Sequence, residues 1–95
     1  IVEYLCKEIN AIPKLRADMV QDEPGRAIYR ARVYVDPEKA GMTATELEAR
    51  LKAGNPTIRC RTEFMSLGSL DFDPRPLVEG DKELVVQKLK EIMEA

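Results

Sequence analysis

The chain has no histidine and no tryptophan, only two cysteines, and aromatic rings at just 5% of its positions. Each shortage excludes something. Without histidine, the commonest general base, the commonest metal ligand and the usual catalytic triads are gone. Cys6 and Cys60 are far apart and show no C-x-x-C spacing, so a reduced protein with two small buried thiols is expected, with a disulfide between them left open. No apolar run approaches the ~18 residues of a membrane-spanning helix. No signal-peptide pattern is present. A cytoplasmic protein with no membrane partner is the expectation. Glycines are isolated turn or cap residues, so no phosphate-cradling loop is encoded. A net charge of −2 gives no basic field for nucleic acid.

What is present describes one domain of 95 residues, 44% apolar and 34% charged. Ile1, Leu5, Ile9 and Ile12 recur at helical spacing up to Pro13. The pattern is already complete at Ile1, which is not a Met. Residues 1–13 are therefore expected to be the tail of a longer, interdomain helix, with preceding residues lost. Lys14 to Gln21 alternates, with Leu15, Ala17 and Met19 opposite Arg16, Asp18 and Val20. After a turn at Asp22-Glu23-Pro24-Gly25, Ala27, Tyr29, Ala31, Val33 and Val35 alternate with Ile28, Arg30, Arg32 and Tyr34. The two runs read as a hairpin.

Asp36 to Gly41 reads as loop. Thr43-Ala44-Thr45-Glu46 is a capping box opening a helix that stops at Gly54. Strands are expected over Thr57 to Glu63 and Ser69 to Asp73, with a turn within Phe64 to Gly68 and no helix at Pro74-Arg75-Pro76. Asp81 caps a last helix with the stripe Val85, Leu89, Ile92 and Met93. The order α-β-β-α-β-β-α predicts an α+β two-layer sandwich: a mainly antiparallel sheet of about four strands, with the helices on one face.

The other face of that sheet would carry Arg16, Arg30, Arg32, Arg59 and Arg61, five of the eight arginines. In a strand, Arg59 and Arg61 would stand side by side, a pair suited to a carboxylate or phosphate. The plain alternative is a solvated face whose arginines pair with Glu63, Asp18 and their neighbours. Asp71, Asp73 and Glu63 read as structural carboxylates rather than a metal or acid–base cluster, since there is no EF-hand pattern and no histidine. Thr43 and Ser66 have no base beside them. Tyr34 alone does not make an RNA platform, and the element order differs from that of an RNA-recognition module.

The segment Leu51-Lys52-Ala53-Gly54-Asn55-Pro56-Thr57-Ile58-Arg59-Cys60-Arg61, then Leu70-Asp71-Phe72-Asp73-Pro74-Arg75-Pro76-Leu77, then an acid-capped final helix, resembles a known arrangement. It is similar to the carboxyl-terminal small domain of fold-type I pyridoxal-phosphate enzymes of the selenocysteine-synthase-like group. In that group a helix ends in a Gly-Asp/Asn-Pro turn, the next strand carries an arginine, and a later strand runs into a Leu-Asp-x-Arg-x-Leu segment. Arg61 matches the first arginine and Arg75 the second. The Ala40-to-Ala44 loop agrees with the ammonia-lyase branch, whereas Arg59 stands where the selenium-transferase branch has a small residue.

The resemblance spans roughly Arg26 to Ala95. It implies a larger parent enzyme whose main domain, in the same chain, holds pyridoxal phosphate on a lysine, with no cofactor and no catalytic residue in this fragment. It further implies an amino-acid-type substrate whose carboxylate meets Arg61, with Arg59 and Arg75 nearby, and a homo-oligomeric assembly. Two functions follow as expectations. One is the substrate-side lobe of a pyridoxal-phosphate lyase or transferase, inactive alone. The other is a free-standing α+β interaction domain that binds an acidic partner through its arginine face.

Overall fold

A computed structural model describes residues 1–21, 29–54, 57–74, 77 and 80–94. The apolar spacing at the start folds as helix α1, Val2–Asn10, with Val2, Leu5 and Ile9 buried. Its end is clamped to the first strand: the Asn10 side chain accepts from the Ala17 N–H at 2.9 Å and donates to the Ala17 carbonyl at 2.8 Å. Strands β1 (Arg16–Gln21) and β2 (Tyr29–Tyr34) form an antiparallel pair, with Ala17 opposite Val33 and Met19 opposite Ala31. Asp22 to Ile28, including the expected turn, lie outside the described residues. β1 starts at Arg16 rather than Lys14 because the Leu15 N–H turns back to the Ile12 carbonyl.

The stretch Asp36 to Gly41, expected as loop, contains a one-turn helix α2, Pro37–Ala40. Asp36 caps it by accepting from the Glu38 N–H, proline occupies its first turn, and Gly41 ends it at φ 73°, a conformation that favours glycine. Helix α3, Ala44–Ala53, opens on the complete capping box that the sequence spells: Thr43 Oγ1 accepts from the Glu46 N–H at 3.1 Å, and Glu46 Oε1 accepts from the Thr43 N–H at 3.2 Å. Thr43→Ala should cost about 1 kcal/mol, within the roughly 0.5–2 kcal/mol range of cap deletions, because an orphan helix-end donor loses its acceptor. Urea denaturation checks this; an unchanged midpoint would show the box to be idle.

The strand expected over Thr57 to Glu63 does not form. The Ile58 N–H is taken by the Leu51 carbonyl at the end of α3. Only Arg61 reaches the sheet, exchanging two backbone hydrogen bonds with Asp71 at 2.8 and 3.1 Å. The chain then coils into a 3-10 turn, Met65–Leu67, and Gly68 at φ 93° feeds strand β3, Ser69–Phe72. Among the described residues, the sheet therefore has three strands, ordered β1-β2-β3 and antiparallel throughout, instead of four. Asn55 and Pro56 of the turn motif, and Arg75 and Pro76, lie outside the described residues. Helix α4, Asp81–Glu94, completes the described fold, with Val85, Val86, Leu89 and Met93 buried.

One face of the sheet meets the helices. Ala17, Ala31, Val33, Leu70 and Phe72 join Leu5, Ile9, Leu47, Leu51 and Leu89 in a single apolar core. Full burial of each leucine, isoleucine or valine there contributes roughly 1.5–3 kcal/mol. This is the two-layer α+β sandwich the periodicities predict, and it leaves the other sheet face to polar side chains. No described helix is long and apolar enough to cross a membrane.

Candidate functional site

Strand alternation that buries Ala31, Val33, Leu70 and Phe72 sends Arg30, Arg32 and Asp71 to the opposite face. The register then sets one row across the sheet. Asp18 on β1 faces Arg32 on β2, Arg32 faces Asp71 on β3, and Asp71 faces Arg61 at the isolated bridge. Charges alternate along that row, the favourable cross-strand arrangement.

Among the described residues, the row anchors a network of three guanidiniums and three carboxylates. Asp71, only 1% exposed, accepts two bonds from the Arg32 fork, from Nε at 2.8 Å and Nη2 at 3.0 Å. Arg30 is also buried. Its Nη1 lies 3.5 Å from Glu63 Oε1 and 3.9 Å from Asp71 Oδ2, and its Nε lies 3.7 Å from Asp73 Oδ2. Arg61 donates from Nε to Glu63 Oε1 at 2.6 Å, and its Nη1 stands 3.9 Å from Asp73 Oδ2. The Phe64 ring covers Arg32, with 4.3 Å from Cζ to the ring centre. Outside the network, Arg16 stacks on Tyr34 and pairs with Asp18 at 2.6 Å.

The electrostatics follow these contacts. The hydrogen bond to Asp71 raises the Arg32 pKa against the opposing effect of burial. The hydrogen bond from Arg61 holds the Glu63 carboxyl below its usual range, helped by the charges of Arg30 and Arg32. Burial pushes the Cys60 thiol up to about 12, and burial also raises Cys6. Both cysteines are free thiols, and at neutral pH neither is disposed to act as a nucleophilic thiolate. Among the described residues, no three His, Cys, Asp or Glu side chains are grouped to hold a metal ion. Arg61 and Glu63 form the network's exposed edge. Its carboxylates are engaged by arginines rather than facing an open cavity as acids or bases.

The structure places the residues singled out by sequence as follows. Arg61 sits at the exposed rim of the network, its side chain 45% accessible. Arg59 is exposed and does not stand beside it on a strand. It lines a separate crevice of about 140 Å³ with Thr57, Leu77, Asp81 and Leu84. Arg75 lies outside the described residues. Sequence reasoning took Asp71 as one of three structural carboxylates and missed it as the anchor of the arginine face. The signal was the alternation Leu70-Asp71-Phe72, which turns Asp71 away from its two apolar neighbours.

A pyridoxal phosphate cofactor would need a pocket lysine, an acid for the ring nitrogen and a phosphate cup. Four of the described lysines are engaged elsewhere and do not supply that pocket lysine. Lys52, Lys82 and Lys88 pair with Glu48, Glu83 and Glu91 on helix surfaces. A cavity of about 410 Å³ is bordered by Lys14 and Lys90, but Lys14 Nζ is bonded to the Met93 carbonyl at 2.8 Å and the other walls are Ala11, Ile12, Pro13, Met93 and Glu94.

Comparison with known proteins agrees with the resemblance read from the sequence. The chain is 41% identical over 93 residues to a D-glucosaminate-6-phosphate ammonia lyase of Salmonella typhimurium, covering 98% of this chain and 25% of that protein. It is 40% identical over 89 residues to a 5'-C-glycyluridine monooxygenase-decarboxylase of a Streptomyces species, covering 94% of this chain and 22% of that protein. A solved structure of D-glucosaminate-6-phosphate ammonia-lyase superimposes with a TM-score of 0.90 at 40% identity, over 98% of this chain and 25% of that one. No family model matches. The chain thus resembles part of larger enzymes and spans about a quarter of the length of the relatives it matches.

Proposed function

We propose that this chain is the carboxyl-terminal, substrate-side lobe of a pyridoxal-phosphate-dependent lyase or transferase, ammonia-lyase-like on an amino acid or amino sugar acid, and that it performs no chemistry alone. The observation that carries this reading is a match over nearly the whole chain, at 41% identity, to one quarter of an ammonia lyase. Pyridoxal phosphate, when bound, supplies an electron sink for bond breaking next to the substrate amine. In this reading it is held by a larger domain of the same polypeptide, in a cytoplasmic homo-oligomer. The lobe contributes a rigid sheet that presents the Arg61 fork to the substrate carboxylate and keeps water from the reacting centre. The alternative, a free-standing domain that binds an acidic partner, has less support, because Arg30, Arg32 and Arg61 already face Glu63, Asp71 and Asp73.

Borohydride trapping tests the division of labour. Full-length protein and the isolated 95-residue chain are each mixed with pyridoxal phosphate, reduced and mapped by peptide mass spectrometry. One stoichiometric lysine should be labelled in the full-length protein, outside residues 1–95, and none in the isolated chain. Stoichiometric labelling of Lys14, Lys90 or another lysine of this chain would overturn the reading.

A further inference from the structure

The helix-facing side of the sheet extends past its cover. Ala17 on β1 and Ala31 and Val33 on β2 lie in the core with Leu5 and Ile9 of α1. By strand alternation Met19 and Tyr29 continue that face toward the Gln21–Tyr29 end of the pair. Yet Met19 is 46% exposed and Tyr29 43%. Ile1, on the same helical stripe as the fully buried Leu5 and Ile9, is 53% exposed. These three side chains border one cavity of about 390 Å³, which Val2, Glu3 and Pro74 complete. Glu3 is the one charged residue in that lining. Contiguous exposed apolar side chains of this kind mark an interaction surface.

We propose that this cavity seats the polypeptide immediately ahead of Ile1 in the full-length protein, running on as further turns of α1 that lay apolar side chains on Met19 and Tyr29. Helix α1 meets the cavity at its first residues, so its continuation arrives there without a loop. Ile1 stands at the N-cap and makes no side-chain hydrogen bond there, whereas Ser, Thr, Asp or Asn would satisfy an ending helix. Two residues of strand advance about 7 Å. One turn of helix advances about 5.4 Å, so one or two turns suffice to cover the exposed stretch. Ample chain is available for this, since the ammonia lyase matches this chain over only 25% of its own length. The occupant rests on the proposed function, in which a larger domain belongs to the same polypeptide; the exposed face does not.

Peroxide footprinting of the full-length protein tests the seam. Methionine oxidation is timed by peptide mass spectrometry, because oxidation converts the thioether to a sulfoxide. Met19 should oxidise as slowly as Met42 and Met93, which are buried within the lobe. Oxidation of Met19 well ahead of both would overturn the proposal. Tyr29→Lys, which sets a charge in the seam, should bring Met19 oxidation forward and speed deuterium uptake in the residues just ahead of Ile1. Leu67→Lys, at an exposed apolar residue near the Tyr34 end of β2, should do neither. Equal effects of the two substitutions, or none, would overturn the proposal. So would protection of Met19 that disappears on dilution, the mark of a second copy. Should Tyr29→Lys not fold, the wild-type footprint decides alone. By helical spacing, the residues three and four ahead of Ile1 share its face and should be apolar; charged residues at both would overturn the proposal. Slow Met19 oxidation in a protein that traps no pyridoxal phosphate would keep the seam and remove the functional reading. Trapped cofactor with a fully reactive Met19 would do the reverse.

Discussion

Replacing Asp71 with alanine is expected to destabilise the domain by roughly 3–5 kcal/mol, the cost of breaking a buried ion pair from one side. Asp71 is almost wholly enclosed and takes both arms of the Arg32 fork. Its loss strands Arg32 and removes one of the negative charges that neutralise Arg30, whose side chain is 6% exposed. Small domains have only about 5–15 kcal/mol of stability in total, so this is a large fraction. At roughly 4–8 °C per kcal/mol for a domain of this size, the melting temperature should fall by roughly 12 °C or more. Circular dichroism during thermal unfolding reads the effect. Asp18→Ala is the internal comparison. It breaks an ion pair with Arg16 that is more than half exposed on both sides, worth at most about 1 kcal/mol. Comparable losses at the two positions would show that burial does not distinguish them. Arg32→Met combined with Asp71→Leu should recover part of the loss, because removing both charges leaves fewer of them unpaired.

On the proposed function, Arg61→Ala in the full-length protein should lower kcat/KM about ten- to a hundredfold. A charge-assisted bidentate contact to a substrate carboxylate contributes roughly 1.5–3 kcal/mol. Cofactor absorbance should not change, since the cofactor is held elsewhere in this reading. The fold should survive, because the Arg61 side chain is 45% exposed and its sheet contact is made through backbone atoms. Arg59→Ala is a stronger control than adjacency in sequence suggests: Arg59 lines a different crevice, beside α4. Its effect should be several-fold smaller. Small, equal effects at both positions would return the face to a solvated ion-pair surface. Unfolding of Arg61→Ala would make Arg61 a structural partner of Glu63 and Asp73, and the substrate role would be withdrawn.

Much of the architecture was legible because it depends on local rules. The stripe Leu5-Ile9 and the alternation Ala31-Val33 each have one period and one apolar face, and hydrophobic burial leaves them one arrangement. The capping box at Thr43 and Glu46 is a contact between near neighbours, so its residues announce it. The Asp36-Pro37 start of α2 was equally local and was read as loop, because one turn of helix has no periodicity to show.

The sequence by itself determined the sandwich, which face of β1 and β2 is polar, and the placing of Arg16, Arg30 and Arg32 on it. Only the tertiary structure decided what those arginines meet. Strand pairing places Asp71 opposite Arg32 across 39 residues of chain. The end of α3 captures the Ile58 N–H that a fourth strand would have used, so Arg59 leaves the sheet while Arg61 stays. Neither outcome has a local signature. Both depend on which backbone donor finds which acceptor once the core has closed, and that competition is settled between segments rather than within them.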